Sequence, residues 1–131
     1  VRVCDIPINF KEIIALTALI QALVVTLTKL EPYEDTHIQI LQSNKWQAAR
    51  YGLDGVFVDH KTFKKLSMRN AIENLFILIE PAIVSLGSKK YFNILEEILI
   101  SGTGSKKQRK LYSTSKNFLH MIKTLKEQFY N

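Results

Sequence analysis

The chain has 131 residues, of which 47% are hydrophobic and 23% charged, and its formal net charge at pH 7 is +6. These values are typical of one globular domain and exclude collagen-like, low-complexity and intrinsically disordered chains. The single cysteine, Cys4, excludes an internal disulfide framework and a zinc cluster built from cysteines. No secretory signal is visible. Because the chain opens at Val1 without a methionine, in a segment that resembles the middle of a strand, we expect a piece of a larger domain.

Residues 1–6 alternate apolar and polar side chains, which predicts a strand with one buried face. Pro7 ends this strand, because proline has no amide proton to donate to a neighbouring strand. Asn9 is the predicted N-cap of a first helix, with Glu12 three residues later. Residues 13–28 hold no charge and are apolar on nearly every side, so we expect a central helix covered by other parts of the protein. This run of sixteen residues is shorter than the ~20 that span a membrane.

A second helix is predicted over residues 37–51. Gly52 stops it, because glycine adopts a positive φ without a clash from a Cβ atom. Val56–Val58 is a short extended run, and residues 59–65 are predicted to form a polar loop.

Ser67 is the predicted cap of a third helix, whose apolar residues recur at steps of three and four. Pro81 falls inside this helix and is expected to kink it, because proline removes one backbone hydrogen bond. Gly87 ends the third helix, Ser88 begins a fourth, and Gly102 ends the fourth.

Residues 105–113 and 115–130 predict two more helices, and the excess charge of the chain lies in this part. Residues 1–100 contain eleven Lys or Arg and eleven Asp or Glu, which cancel, whereas residues 101–131 contain seven Lys or Arg against Glu127 alone. No aromatic residues are interleaved at stacking spacing and no nucleic-acid-binding signature is present, so we favour a solvated helix face over a nucleic-acid site. The last helix aligns five apolar residues: Phe118, Met121, Ile122, Leu125 and Phe129.

Three stretches carry residues suited to binding anions. Arg2 offers a planar fork of donors for phosphate or carboxylate, and the alternative is a surface arginine on a half-exposed strand. Trp46 and Arg50 share one helix face that could stack a base or hold an anion; alternatively, Arg50 only balances the helix dipole. Gly102 and Gly104 could cradle phosphate before a helix, but the spacing is not that of a P-loop, so we favour a helix–helix connection.

Other catalytic templates do not fit the sequence. His37, His60 and His120 are scattered without the spacing of a metal site. Glu96 and Glu97 are adjacent, so on a helix they point about 100° apart and cannot act as a shared acid–base pair. Composition and spacing alone therefore predict only a mostly helical basic domain.

The same stretches, in the same order, resemble the C-terminal part of the carboxylate–amine ligases of the glutamate–cysteine ligase type 2 family. The resemblance covers nearly all of the chain, and its most specific part is an Asn-x-Trp-x-Ala-x-Arg-Tyr-Gly-Leu-Asp block at residues 44–54. The other matching parts are an Arg-bearing strand, a long apolar helix, a Val-Asp pair and a Gly-x-Gly-x-x-x-Gln-Arg block, at residues 1–7, 15–23, 58–59 and 102–109.

The resemblance implies a mainly α fold with one or two short strands, as the C-terminal fragment of an α+β, glutamine-synthetase-like ligase domain. Residues 1–131 would then form a single C-terminal segment whose N-terminal sheet and metal-site part are missing. It also implies an ATP- and Mg²⁺-dependent enzyme that phosphorylates a carboxylate, typically the γ-carboxylate of glutamate, before an amine, typically that of cysteine, displaces the phosphate. Because the metal ligands would lie outside this chain, we expect the chain alone to be inactive.

The resemblance also assigns site residues. Two arginines are expected to be catalytic, through contacts to phosphate or to a substrate carboxylate: Arg2 and Arg50. Four residues are expected to bind substrate: Asn44, Trp46, Gln108 and Arg109. A capping or interface role would equally explain the last two. Lys106 and Lys107 depart from the family pattern, in which this pair of positions is often acidic.

The expected partners are ATP and small amino-acid substrates, in a cytoplasmic homo-oligomer that binds neither a membrane nor nucleic acid. The apolar helix at residues 13–28 should leave apolar surface exposed, which favours self-association. Two alternatives stay open. One is a non-enzymatic basic helical module that binds nucleic acid or anionic surfaces through residues 105–126, and the other is a degenerate ligase fragment that acts as a scaffold.

Overall fold

A computed structural model describes residue 7 and residues 9–30 and 37–129. Within these residues lie six α-helices and one two-stranded antiparallel sheet, so the predicted mainly α fold class is confirmed. The strand predicted at residues 1–6 lies outside the described residues. The chain divides into two compact units, which we name the terminal unit (residues 1–21 and 87–131) and the hairpin unit (residues 22–86).

The elements follow one another with short connections. The first half of the chain contains α1 (Phe10–Leu27), α2 (Ile38–Tyr51), a 3₁₀ turn (Gly52–Asp54), β1 (Val56–Val58) and β2 (Lys65–Ser67). The second half contains α3 (Met68–Ser85), α4 (Lys89–Ser101), α5 (Gly104–Ser115) and α6 (Phe118–Gln128).

The helix α1 begins where the sequence predicts, because the Asn9 side chain accepts a hydrogen bond from the Lys11 amide at 2.7 Å. Its buried residues form one narrow stripe: Glu12, Ala15, Ala18 and Ala22. Val24 and Leu27 are each more than half exposed, so the apolar exposure predicted for this helix in the chain alone is confirmed, and its cover by other parts of a larger protein stays a prediction. By length and composition alone α1 could cross a membrane, a test that core helices of soluble proteins also pass.

The buried side chains of the terminal unit lie mainly on α1 and α4. Phe92 and Leu95 are the buried residues of α4. The two predicted C-terminal helices are present as α5 and α6, and they pack on each other although neither contains a buried residue. Asn117 caps α6 by accepting from the His120 amide at 3.1 Å. This cap lies two residues after the predicted start at residue 115, because Lys116 takes a left-handed φ of 52° that ends α5.

The hairpin unit is built around the antiparallel pair β1–β2, in which Phe57 lies opposite Leu66. Gly52 ends α2 with a φ of 58°, and Ser67 caps α3 by accepting from the Asn70 amide at 3.1 Å, so both predicted boundaries are confirmed. Four residues in this unit form the buried core of α3: Met68, Ile79, Ala82 and Ile83.

One prediction for this unit is wrong in its bounds. The polar loop predicted at residues 59–65 is shorter, because Lys65 already pairs with Val58 and begins β2. Phe63 makes this tight hairpin possible by adopting a φ of 57°. The helix α3 continues through Pro81 to Ser85 as predicted, and the kink expected at Pro81 stays a prediction.

Candidate functional site

The most specific part of the sequence pattern, residues 44–54, lies on α2 and the 3₁₀ turn. Asn44 points at β1 and forms two hydrogen bonds with Val58: its amide group donates to the carbonyl oxygen, and its carbonyl oxygen accepts from the backbone N–H, both at 2.8 Å. A side-chain amide paired in this way makes the two backbone hydrogen bonds that a residue of a neighbouring strand would otherwise make. The structure therefore gives Asn44 a positioning role on β1.

Gln47, which is not among the residues predicted for the site, supports the same contact one helical turn later. Its side-chain oxygen accepts from the Val56 amide at 3.2 Å. The approach is close, because a Cβ atom on the buried Gly55 would lie 3.0 Å from the Gln47 carbonyl oxygen. The three-residue step from Asn44 to Gln47 places both side chains on one helix face, which is the signal that could have identified Gln47.

Trp46 and Arg50 lie on α2 at the four-residue spacing that puts two side chains on one face, as predicted. A step of two residues rotates a helix by about 200°, so Trp46 points away from the face that holds Asn44. Trp46 is 56% exposed and meets the Tyr51 ring edge-on, with 5.6 Å between ring centroids. Arg50 is exposed, and no carboxylate pairs with it among the described residues.

Asp59 follows β1 and belongs to the Val-Asp pair of the sequence pattern. Its Oδ1 atom accepts from the backbone N–H of Thr62 at 2.7 Å and from that of Lys61 at 2.8 Å. The Thr62 hydroxyl donates to the same atom at 3.1 Å. These hydrogen bonds, first the one from the Thr62 backbone, hold the pKa of Asp59 below its usual value. The carboxylate therefore closes the hairpin loop.

The glycine pair near residue 102 lies in the terminal unit, as the connection between α4 and α5. Gly102 is buried with a φ of 97°, and a Cβ atom there would lie 2.7 Å from Cδ of Lys106. The Lys106 stem thus occupies the space beside this glycine. This geometry supports a helix–helix connection over a phosphate cradle. On α5, Gln108 is half-buried and Arg109 is exposed.

An ion pair in the terminal unit was not foreseen from the sequence. Nζ of Lys107 donates to Oε1 of Glu12 at 2.7 Å, and the Glu12 side chain is only 10% exposed. Both residues line a pocket of about 120 Å³ together with residues of α1 and α4. Lys107 therefore neutralises a buried carboxylate of α1.

The predicted site residues fall into separate parts of the chain. Asn44, Trp46 and Arg50 share α2 in the hairpin unit, whereas Gln108 and Arg109 share α5 in the terminal unit. Arg2 lies outside the described residues. Over residues 9–30 and 37–129, no three His, Cys, Asp or Glu side chains come together in a way that could hold a metal ion.

Comparison with known proteins identifies the family. Residues 1–127 match the model of the glutamate–cysteine ligase family 2 (GCS2). Relatives carrying the name "Putative glutamate--cysteine ligase 2" include one from Gloeobacter violaceus, 35% identical over 95% of this chain, and one from Sorangium cellulosum, 29% identical over 98%. Each alignment spans 35% of the relative, so the chain covers about a third of their length. Since the family match extends over nearly the whole sequence, this chain belongs to the glutamate–cysteine ligase family 2.

Proposed function

We propose that this chain is a segment of an ATP- and Mg²⁺-dependent carboxylate–amine ligase that joins the γ-carboxylate of glutamate to the amine of cysteine. A carboxylate oxygen attacks the γ-phosphorus of ATP, ADP leaves, and an acyl phosphate forms. The amine nitrogen then attacks the acyl carbon and loses a proton, and phosphate leaves. The family match and the names of the relatives support this reaction class.

The exposed Trp46–Arg50 face is the structural observation that carries the proposal. Both steps spread negative charge over phosphate and carboxylate oxygens, which a fixed guanidinium group stabilises well. Arg50 is exposed and has no ionic partner among the described residues, so its donors are available for an anion. We assign anion contacts to Arg50 and, in the same role, to Arg2.

The other predicted site residues have separate proposed roles within their own units. Trp46 bounds the substrate side of α2 with its exposed ring. Asn44 serves the site by fixing β1 against α2 through its two hydrogen bonds to Val58. Gln108 and Arg109 offer further polar contacts to substrate from α5. Carboxylate ligands for Mg²⁺ are assigned to parts of the ligase outside the described residues, which lack a three-ligand cluster.

The proposal can be tested with a chimera in which these 131 residues replace the aligned segment of the Gloeobacter violaceus relative. Phosphate release from ATP should depend on glutamate and cysteine in an amino-acid panel. Arg50→Lys should lower kcat about a hundredfold, because a lysine cannot reproduce the bidentate contact. Lys45→Met is the matched control on the same helix and should leave the rate unchanged. Equal rates for Arg50→Lys and the parent chimera would refute the role of Arg50.

Two further outcomes separate the proposal from its alternatives. The 131-residue chain alone should show no glutamate-dependent ATP hydrolysis, and turnover by this chain would overturn that part. A folded chimera that hydrolyses no ATP with any amino acid would instead support a scaffold role. The proposal also includes a homo-oligomer in the cytoplasm, which sedimentation and localisation of the full ligase would test.

A further inference from the structure

The helix α6 presents an apolar patch to solvent in the terminal unit. Phe118, Leu119 and Ile122 are 63%, 61% and 57% exposed, and Ile122 lies beside the other two because it is four residues from Phe118 and three from Leu119. Lys123 lies four residues after Leu119, and Lys126 lies four residues after Ile122. Both lysines are exposed on the same side of α6. We name these five residues the α6 patch. Exposed large side chains clustered in this way mark an interaction surface more often than a solvated face.

The patch is held rigidly, which lowers the entropy cost of binding. The Phe118 ring stacks on the Tyr112 ring of α5, with 4.4 Å between centroids. The N-cap hydrogen bond of Asn117 fixes the start of α6, and the Ser115 hydroxyl in turn accepts from the Asn117 amide. The other end is fixed too, because the Phe10 amide donates to the Phe129 carbonyl oxygen at 2.9 Å.

We propose that the α6 patch is the docking surface for the part of a family 2 ligase chain that these 131 residues do not cover. This inference rests on the proposed function. The chain spans only about a third of its relatives, so about two thirds of a ligase chain remains to be packed against it. That remainder is also the occupant that would cover a rigid apolar face in a completed domain.

The positive charge around the α6 patch favours the same occupant over a second copy of this chain. Residues 101–131 carry seven Lys or Arg against Glu127 alone. A symmetric contact between two copies would bring Lys123 and Lys126 against the same cations, which is unfavourable. The occupant should therefore offer an apolar surface with carboxylates around its rim, and its contact with the patch should weaken with salt.

The inference can be tested by cysteine accessibility in a Cys4→Ser background. Ile122→Cys should react with a maleimide at least about tenfold more slowly in the chimera than in the free chain, because the occupant covers it. Ser113→Cys, on the exposed face of α5, is the control and should react equally in both. Equal rates at Ile122→Cys would overturn the proposal. So would concentration-dependent protection in the free chain, which indicates a second copy, or co-pelleting with anionic phospholipid vesicles that protects Ile122→Cys.

The chimera also separates this inference from the proposed function. If the chimera releases phosphate and Ile122→Cys stays accessible, the docking surface is wrong and the ligase function stands. If Ile122→Cys is protected and no amino acid supports phosphate release, the ligase function fails and the docking surface stands. If the chimera does not fold, the same labelling is carried out on the 131-residue chain co-expressed with the remainder of the relative. In that experiment, failure of the tagged 131-residue chain to retain the remainder of the relative would overturn the docking surface.

Discussion

Replacing Lys107 with methionine should destabilise the terminal unit, because it leaves the Glu12 carboxylate buried without a partner. The pair joins α1 to α5 across 95 residues of sequence at 2.7 Å. Methionine keeps most of the apolar stem of lysine and removes only the charge and the hydrogen bond. The substitution therefore isolates the ion pair from packing.

The size of the effect follows from the unequal burial of the two partners. Breaking a fully buried ion pair costs about 3–5 kcal/mol, whereas a pair on the surface contributes about 0–1 kcal/mol. The Glu12 side chain is 10% exposed and that of Lys107 34%, and both line a pocket that water can enter. We therefore expect Lys107→Met to lower the free energy of unfolding by about 1–3 kcal/mol.

Urea unfolding followed by far-UV circular dichroism measures this change. Lys110→Met is the matched control, because it removes an exposed lysine from the same helix. A double-mutant cycle with Glu12→Gln should give a coupling energy of about 1–2 kcal/mol. A Lys107→Met midpoint equal to that of Lys110→Met would refute the reasoning. The single tryptophan, Trp46, reports separately on the hairpin unit and shows whether the two units unfold together.

Four further predictions concern the hairpin unit and the basic helices. Asn44→Asp should cost about 1–3 kcal/mol and speed hydrogen exchange at the Val58 amide, because aspartate cannot donate to the Val58 carbonyl oxygen. Gly52→Ala should cost about 1–3 kcal/mol in urea unfolding, because φ is 58° there. Since hydrogen bonds, first that from the Thr62 backbone, lower the pKa of Asp59, the loop should keep its order above the usual pKa and lose it as the pH falls through the lowered value. An NMR titration of the loop amides measures this, and Asp59→Asn should abolish the transition. Duplex DNA should show no salt-dependent binding in fluorescence anisotropy, and binding that is lost as salt rises would favour the basic-module alternative.

The helices of this chain could be predicted because their signals are local. Asn9 and Ser67 cap helices through hydrogen bonds to amides only two or three residues away, and Gly52 ends one through its own backbone angle. The residues that set these helix boundaries therefore lie within one helical turn of each other in the sequence. The strand β2 was missed, because Lys65–Ser67 has a single apolar residue and is specified by pairing with β1.

The contacts that join distant segments could not be predicted in the same way. Glu12 matches the spacing of a capping box, yet its carboxylate pairs with Lys107 from a helix far along the chain. The charge of Lys107 alone marks it only as one of seven basic residues near the C-terminus. The partner of a buried charge depends on tertiary packing, and a single sequence does not contain that information in its local pattern.

The residue block at 44–54 shows how one motif can serve two purposes on one helix. Asn44 and Gln47 hold β1 through side-chain hydrogen bonds, whereas Trp46 and Arg50 remain exposed on the same helix. Helical periodicity separates Trp46 from Asn44, which is two residues away, and places Arg50 beside Trp46, which is four residues away. Arg50 is also only three residues from Gln47, so its exposure, and not the spacing, distinguishes it from the residues that hold β1. The inward pair should therefore control stability and the outward pair anion binding. The motif thus combines a support for β1 with an exposed contact surface on one helix.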